Sequence, residues 1–323
     1  MTEPRIQPEE PRFDAKAFLT IIRPQNCFIG GLTVIAGIAM GFKLFPLTTS
    51  LWDFLDLFIY SYITYFAVAA GGNIVNDIYD IEIDRINRPH RALPSGRMTI
   101  KQAWYYVTFW VIIGVFFSWL GIAVNLTQGR YVSLFVVIVF VAIAYAYAAK
   151  VKSLGLAGNI MVAFSFAFGI VYGSVVYGEV AGGITRAFVI PLPVWLFFLT
   201  AFMILQARET IKGAEDVKGD AIRDVRTIAR VYGHETAAFI AALLNAVGVI
   251  CFASVWLLGF ANWVLWPLLI SGCVVVTGAG IAPLTGPTDA KRLLIGSTLD
   301  KIGALIGLVA FVAIPLFDII LAI

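Results

Sequence analysis

Long apolar runs alternate with short polar breaks along this chain. Crossing a bilayer takes about 20 consecutive apolar residues. Nine runs of that kind occur, roughly at 17–42, 52–75, 100–122, 131–149, 155–178, 188–207, 235–259, 262–283 and 298–321. None keeps up the apolar–polar alternation of a lipid-facing barrel strand, so the pattern predicts an all-α integral membrane protein with nine transmembrane helices. Composition agrees: 60% of the 323 residues are hydrophobic and 13% are charged, far from a soluble domain. Residues 1–16 are polar and rich in proline and acid, and no short apolar core with a small-residue cleavage site follows them. They therefore read as a cytoplasmic N-terminal segment, not a removable signal peptide. With no Pro/Gly/Ser linker further on, residues 17–323 read as one membrane domain.

Charge sets an expected orientation. With the N-terminus in the cytoplasm and loops assigned alternately in and out, all of the 23 lysines and arginines except Lys43, Arg130 and Arg186 fall inside. That is the positive-inside pattern, and it predicts a multi-pass protein of the cell membrane. The net charge of +3 averages one basic face with one nearly free of bases, so it gives no reason to invoke nucleic acid. Cys27, Cys251 and Cys273 sit in apolar runs without CxxC spacing and read as inert thiols. His90 and His234 are too few for a histidine metal site.

Two cytoplasmic segments stand out, 76–100 after the second run and 208–234 after the sixth. Their similar placing, four runs apart, hints at a weak internal duplication. In "NDIYDIEID" (Asn76–Asp84), Asn76, Asp80 and Asp84 are spaced i, i+4, i+8 with Asp77 beside them, which puts their oxygens on one helical face. Crowded carboxylates repel unless a cation sits between them, and Mg²⁺ favours a few carboxylate oxygens completed by water and phosphate. The second segment repeats the device with Asp216 and Asp220, and with Glu209, Glu215 and Asp224 nearby. Arg85, Arg88, Arg91 and Arg97 flank the first cluster; Lys212, Lys218, Arg223 and Arg226 flank the second. Acid and base together suit a metal-bound diphosphate, the acids taking Mg²⁺ and the cations the remaining phosphate oxygens. The bland alternative is solvated loop charge. It stays open for any single arginine, and two DxxxD pairs where runs meet the cytoplasm argue against it. A diphosphate at the mouth of an apolar bundle suggests a lipid diphosphate. "FSFAFGIVYG" (Phe164–Gly173) is either a lining for its hydrocarbon tail or plain packing.

"NDIYDIEID" resembles the NDxxDxxxD motif of the UbiA superfamily of intramembrane prenyltransferases, and "EDVKGD" its second DxxxD motif. "RPQNC" (Arg23–Cys27), "YAAKVK" (Tyr147–Lys152) and Gly158–Asn159 extend the likeness over nearly the whole chain. Within the superfamily, "DRINRPHRALPSG" and "RETIKGAEDVKGD" are most similar to archaeal digeranylgeranylglyceryl phosphate synthases; chlorophyll synthases share part of the former. Three positions depart from the pattern. Ala92 replaces the proline after Arg91, Gly213 an acid three residues before the DxxxD pair, and Asp224 a glycine, with "TIA" (Thr227–Ala229) standing for T-L-P.

The resemblance implies nine helices around a central cavity, both motifs at its cytoplasmic mouth, and Mg²⁺-dependent transfer of a prenyl group from a prenyl diphosphate. For the nearest subfamily the donor is geranylgeranyl diphosphate and the acceptor geranylgeranylglyceryl phosphate. The implied metal set is Asn76, Asp77, Asp80, Asp84, Asp216 and Asp220, with catalysis resting on the four aspartates of the two DxxxD pairs. Arg91, Lys152 and Lys212 are the implied diphosphate contacts, and Asn26 and Tyr147 are implied to orient substrate. Rival readings are an aromatic or chlorophyllide-like acceptor, a lipid-binding paralogue, and a transporter. A transporter would carry its acids near the bilayer midplane and not at the ends of spans.

Overall fold

In the computed structural model, which describes residues 14–46, 55–125, 131–151, 155–217 and 225–321, nine helices are long and apolar enough to cross a membrane. Among the described residues there is no strand. A short α1 (Ala15–Ile21) precedes α2 (Pro24–Leu44) and α3 (Leu55–Tyr79), and a short α4 (Ile81–Asn87) leads to α5 (Ile100–Asn125), α6 (Tyr131–Ala149), α7 (Leu156–Ala187) and α8 (Leu192–Glu215). After another short helix, α9 (Ile228–Tyr232), come α10 (His234–Leu257), α11 (Trp266–Leu284) and α12 (Ala290–Leu321).

Three spans differ usefully from their apolar runs. The first starts at Pro24 and not at 17. A proline ring disfavours the α region for its preceding residue, and Arg23 interrupts the helix in the left-handed conformation, φ 51°, ψ 65°. Pro24 then opens α2 at no cost, since the first N–H of a helix has no partner anyway. The sixth span runs on past its apolar stretch through "RETIKGAE" to Glu215, mostly good helix formers. Glu209, Lys212 and Glu215 thereby project from an extended helix and not from a loop. The fifth runs to Ala187 through a kink at Gly182 and Gly183.

Helices adjacent in sequence pack side by side, and α12 returns to α2, which closes a ring; α2 also packs on α7, and α12 on α8. The α2–α7 contact is backbone to backbone. A Cβ on Gly37 would lie 2.0 Å from the Ile170 carbonyl oxygen, and one on Gly173 would lie 2.1 Å from that of Val34. Small residues draw membrane helices together in this way, because lipid offers no hydrophobic drive between them. Phe164 and Phe168 of the "FSFAFG" stretch join α6 to α8 in an aromatic ladder, with ring centroids 4.8 Å apart for Phe140–Phe168 and 5.6 Å for Phe164–Phe198. Tyr105, Phe135, Ile250 and Val274 point outward, as lipid-facing side chains do.

The end of the ring where α2 finishes is pinned by structural polar contacts. Lys43 pairs with Asp318 at 2.6 Å and donates to the Phe260 carbonyl, and Arg186 lies over the Phe45 ring at 4.4 Å. Buried Glu179 accepts from the backbone N–H of Val132 (2.6 Å) and Ser133 (2.9 Å), capping α6 from the neighbouring helix. Two of the three bases expected outside, Lys43 and Arg186, therefore share the end opposite the acidic motifs; Arg130 lies outside the described residues.

Candidate active site

At the other end, α3 runs into α4 almost without interruption. The Asp80 N–H donates to the Asn76 carbonyl (3.0 Å) and the Asp84 N–H to that of Asp80 (2.8 Å), so the helical spacing expected for Asn76, Asp80 and Asp84 survives. The acids nonetheless face two environments. Arg91 donates to Asp84 at 2.6 Å and to Asp77 at 3.2 Å, and Asp77 also takes the Arg23 guanidinium. Asp77 and Asp84 are 6% and 4% exposed, so these are charge-assisted contacts shielded from water. Asp80 instead accepts from the Asn76 amide at 3.3 Å.

Arg91 is held by its own loop. Ser95 Oγ donates to the Arg91 carbonyl (2.6 Å), Met98 N–H to that of Ala92 (3.1 Å), and Arg97 to that of His90 (2.6 Å). Ala92, Leu93 and Met98 are buried against Ala17, Ile21, Ile22 and Cys27, so the loop packs under α1. Ala92, one of the departures, is thus a core residue.

Arg23 was not among the expected site residues, although it opens "RPQNC". Asn26, taken from the same motif, is exposed in the first turn of α2 and makes no side-chain hydrogen bond with the described residues. Asn73 does the local work, donating to the Ile22 carbonyl at 2.8 Å. The available signal was a basic residue before proline at the mouth of a span. A non-glycine residue at positive φ is rare and marks places where the surroundings enforce a conformation.

The second segment reaches the same place from α8. Tyr147, on α6, stands where the charges of Asp80, Glu209 and Arg23 all act on its hydroxyl. The Asn159 amide of α7 donates to the Glu209 carbonyl at 3.5 Å. Lys212 lies in the last turn of α8, and its carbonyl accepts from the Asp216 N–H at 3.0 Å. The Asp216 side chain is exposed and forms no ion pair with the described residues. Asp220 and Lys152 lie outside the described residues, as do Lys218, Arg223 and Asp224. Gly155 joins the chain after α6 to this segment: at φ +62°, a Cβ there would lie 2.2 Å from the Arg226 carbonyl oxygen, so only glycine fits. At Gly213 a Cβ would sit 3.1 Å from the Cβ and Cγ2 of Thr227. The acid expected by resemblance is missing where α8 packs on that threonine.

Among the described residues no three His, Cys, Asp or Glu side chains converge to hold a metal by themselves. The donors present are nevertheless the right kind for Mg²⁺, which takes one or two carboxylates and completes its shell with water and substrate phosphate. The oxygens of Asn76 and Asp80, whose side chains meet in the 3.3 Å amide–carboxylate contact, fit that chemistry, and Asp216 offers a further open carboxylate at the end of α8.

Residues 25–291 match the model of the UbiA prenyltransferase family. The chain belongs to that family. It is a multi-pass membrane prenyltransferase. This UbiA-family chain is 32% identical to the digeranylgeranylglyceryl phosphate synthase of Pyrococcus furiosus over 306 residues, which cover 93% of this chain and 97% of that one. A solved structure described as a digeranylgeranylglyceryl phosphate synthase in membranes has a TM-score of 0.71 at 26% identity, covering 94% of this chain and 98% of that one. A UbiA homologue from Archaeoglobus fulgidus, bound to GPP and Mg²⁺, shares the fold with a TM-score of 0.59 at 17% identity, covering 92% of this chain and all of the other.

Proposed function

We propose that this protein transfers a geranylgeranyl group from geranylgeranyl diphosphate to geranylgeranylglyceryl phosphate, forming the second ether bond of archaeal membrane lipids. The observation that carries the reading is the likeness to a digeranylgeranylglyceryl phosphate synthase over 93% of this chain and 97% of that one, in a chain whose first-motif acids Asp77 and Asp84 are gathered on Arg91. Asn76, Asp77, Asp80 and Asp84 would hold Mg²⁺ from one side, Asp216 and Asp220 from the other. Bound there, the metal supplies positive charge against the departing diphosphate.

The chain's own residues do the rest. Arg91, already between two of the acids, meets the diphosphate with Lys152 and Lys212 and offsets the charge that builds as the allylic C–O bond breaks. Diphosphate leaves with the electron pair; the acceptor hydroxyl then forms the new C–O bond and loses its proton. Tyr147 and Asn26 orient substrate at the mouth. The apolar walls, including the Phe140–Phe164–Phe168 ladder, keep water from the cationic carbon. The charge asymmetry supports a cell-membrane location with the N-terminus and mouth cytoplasmic, and residues 17–323 acting as one domain.

The test is purified protein with radiolabelled geranylgeranyl diphosphate and Mg²⁺ or EDTA, offered geranylgeranylglyceryl phosphate, 4-hydroxybenzoate, a naphthoate or chlorophyllide. Metal-dependent label in the glyceryl ether supports the reading; turnover of another acceptor with that ether untouched overturns it. For orientation, His90→Cys should label from the cytoplasmic side and Thr127→Cys from the opposite side.

A further inference from the structure

Several serines and threonines inside these helices turn their hydroxyls back on their own backbone. Thr200 donates to the Leu196 carbonyl and Thr210 to that of Gln206, each at 2.8 Å, and Ser254 donates to that of Ile250 at 2.7 Å. That is the usual outlet for a hydroxyl within a helix. Ser297, in the third turn of α12, does otherwise. Its Oγ donates to the Glu215 carboxylate at 2.5 Å, while the Leu294 carbonyl of its own helix lies at 3.3 Å. A hydroxyl has one hydrogen to give, and the short contact to an acid is the stronger. Ser297 is 5% exposed, so water competes poorly for it. The contact runs from the last span to the final residue of α8, directly before Asp216.

Both ends of this contact are held. Beside Ser297 is Gly296, where a Cβ would lie 2.6 Å from the Pro283 ring of α11 and 3.2 Å from the Ala279 carbonyl oxygen, so α12 is tightly seated there. One turn earlier, Leu293 packs among Ala207, Ile211 and Ala214 of α8 and Ala237 and Ala241 of α10. Small side chains bring helices together but resist rotation little, since apolar contact has no direction. The hydrogen bond supplies the direction. With Glu215 turned to α12, Lys212 and Asp216, four residues apart, share the neighbouring face of α8. The Asp216 N–H closes on the Lys212 carbonyl at 3.0 Å, so the two turn together. Lys212 is half-buried and Asp216 exposed, whereas Ile211 and Ala214 are buried, as that rotation requires.

We propose that Ser297 is a positioning residue for the transfer: its hydroxyl, acting through Glu215, fixes the rotation of the last turn of α8 so that Asp216 and Lys212 face the metal-bound diphosphate. This rests on the transferase reading above. The contact then matters for holding the donor with Mg²⁺ and not for the acceptor. Glu215 serves by accepting a hydrogen bond, not by binding metal.

The test uses full-length Ser297→Ala, Ser297→Thr, Glu215→Ala and Glu215→Gln. Each is read for Mg²⁺-dependent binding of geranylgeranyl diphosphate without acceptor, for KM of donor and of acceptor, and for thermal midpoint. Ser297→Ala should weaken donor binding and raise donor KM roughly fivefold to tenfold, the scale of one hydrogen bond to a charged group. Acceptor KM and thermal midpoint should stay nearly unchanged. Ser297→Thr, which keeps the hydroxyl, should restore most of the binding. Glu215→Ala should match Ser297→Ala, and the double variant should be little worse than either, because the two groups act as a unit. Glu215→Gln, whose amide oxygen still accepts, should bind far better than Glu215→Ala. Normal donor binding by Ser297→Ala overturns the proposal, as does full additivity in the double variant or equal loss in Ser297→Ala and Ser297→Thr. If Ser297→Ala does not fold, the Glu215 variants carry the test: rescue by Gln supports the proposal, and equal behaviour of Ala and Gln overturns it. If wild type binds the donor with Mg²⁺ but transfers nothing, the transferase reading fails on its own. The binding arm still decides for Ser297, weaker binding by Ser297→Ala supporting the proposal and unchanged binding overturning it.

Discussion

The acidic turn that closes α3 and the one that closes α8 carry aspartates at the same four-residue spacing, and they sit in opposite surroundings. In the first, Asp77, Asp80 and Asp84 are all at most 9% exposed, and two of them share the Arg91 guanidinium. In the second, Asp216 is exposed and pairs with none of the described residues. In the proposed site, one half would be held in place before substrate arrives and the other would be open to it. Buried carboxylates are costly unless cations are built in beside them, so the first segment also supplies Arg91 and a loop packed to hold it. The second needs only a helix end.

The largest effect should come from the aspartates themselves. Asp80→Asn and Asp216→Asn should each lower Mg²⁺-dependent turnover by roughly a hundredfold or more, the scale of losing a charged group that acts mainly in the transition state. The double variant should be little worse than either single one. Near-normal activity in Asp216→Asn would break the symmetry of function and leave the second segment an ordinary charged helix end. Thermal midpoints should hold in both variants, because Asn is nearly isosteric.

Arg91→Ala separates the two segments by stability. It leaves Asp77 and Asp84 buried with one guanidinium fewer, at a cost of about 2–4 kcal/mol, because removing one partner strands the other's charge. A denaturation curve of detergent-solubilised protein reads this; an unchanged midpoint would mean the acids are not braced before substrate binds. Gly213→Asp, which restores the acid expected by resemblance, should cost about 1–3 kcal/mol through overpacking against Thr227 and leave activity no higher. A gain in turnover at normal stability would show that α8 has room there for another ligand. The smallest effect belongs to the exposed Arg85–Glu82 pair, 3.1 Å apart with side chains 57% and 77% exposed. Arg85→Ala should change stability by less than about 0.5 kcal/mol, as solvated pairs one helical turn apart do.

Nine spans, the helical face bearing Asn76, Asp80 and Asp84, and the acids' place at one end of the bundle could all be read along the chain. Each depends on hydropathy over about 20 residues or on the 3.6-residue helical period, which are local properties. The break at Arg23 had a local sign, the following Pro24, and it was overlooked because the apolar run continues across it. Which guanidinium meets which carboxylate is another matter. Arg23 reaches Asp77 from 54 residues away, the Asn159 amide of α7 meets the Glu209 carbonyl of α8, and Ser297 of α12 meets Glu215 of α8. No periodicity encodes such pairings. They follow from how the ring closes, α12 returning against α2 and α8, and from glycines such as Gly37 and Gly173 that let helices approach closely. Hydropathy placed most of the charges at the ends of the spans because lipid disfavours them along its length. Packing assigned their partners, because a buried charge must be satisfied by whatever the neighbouring helix presents.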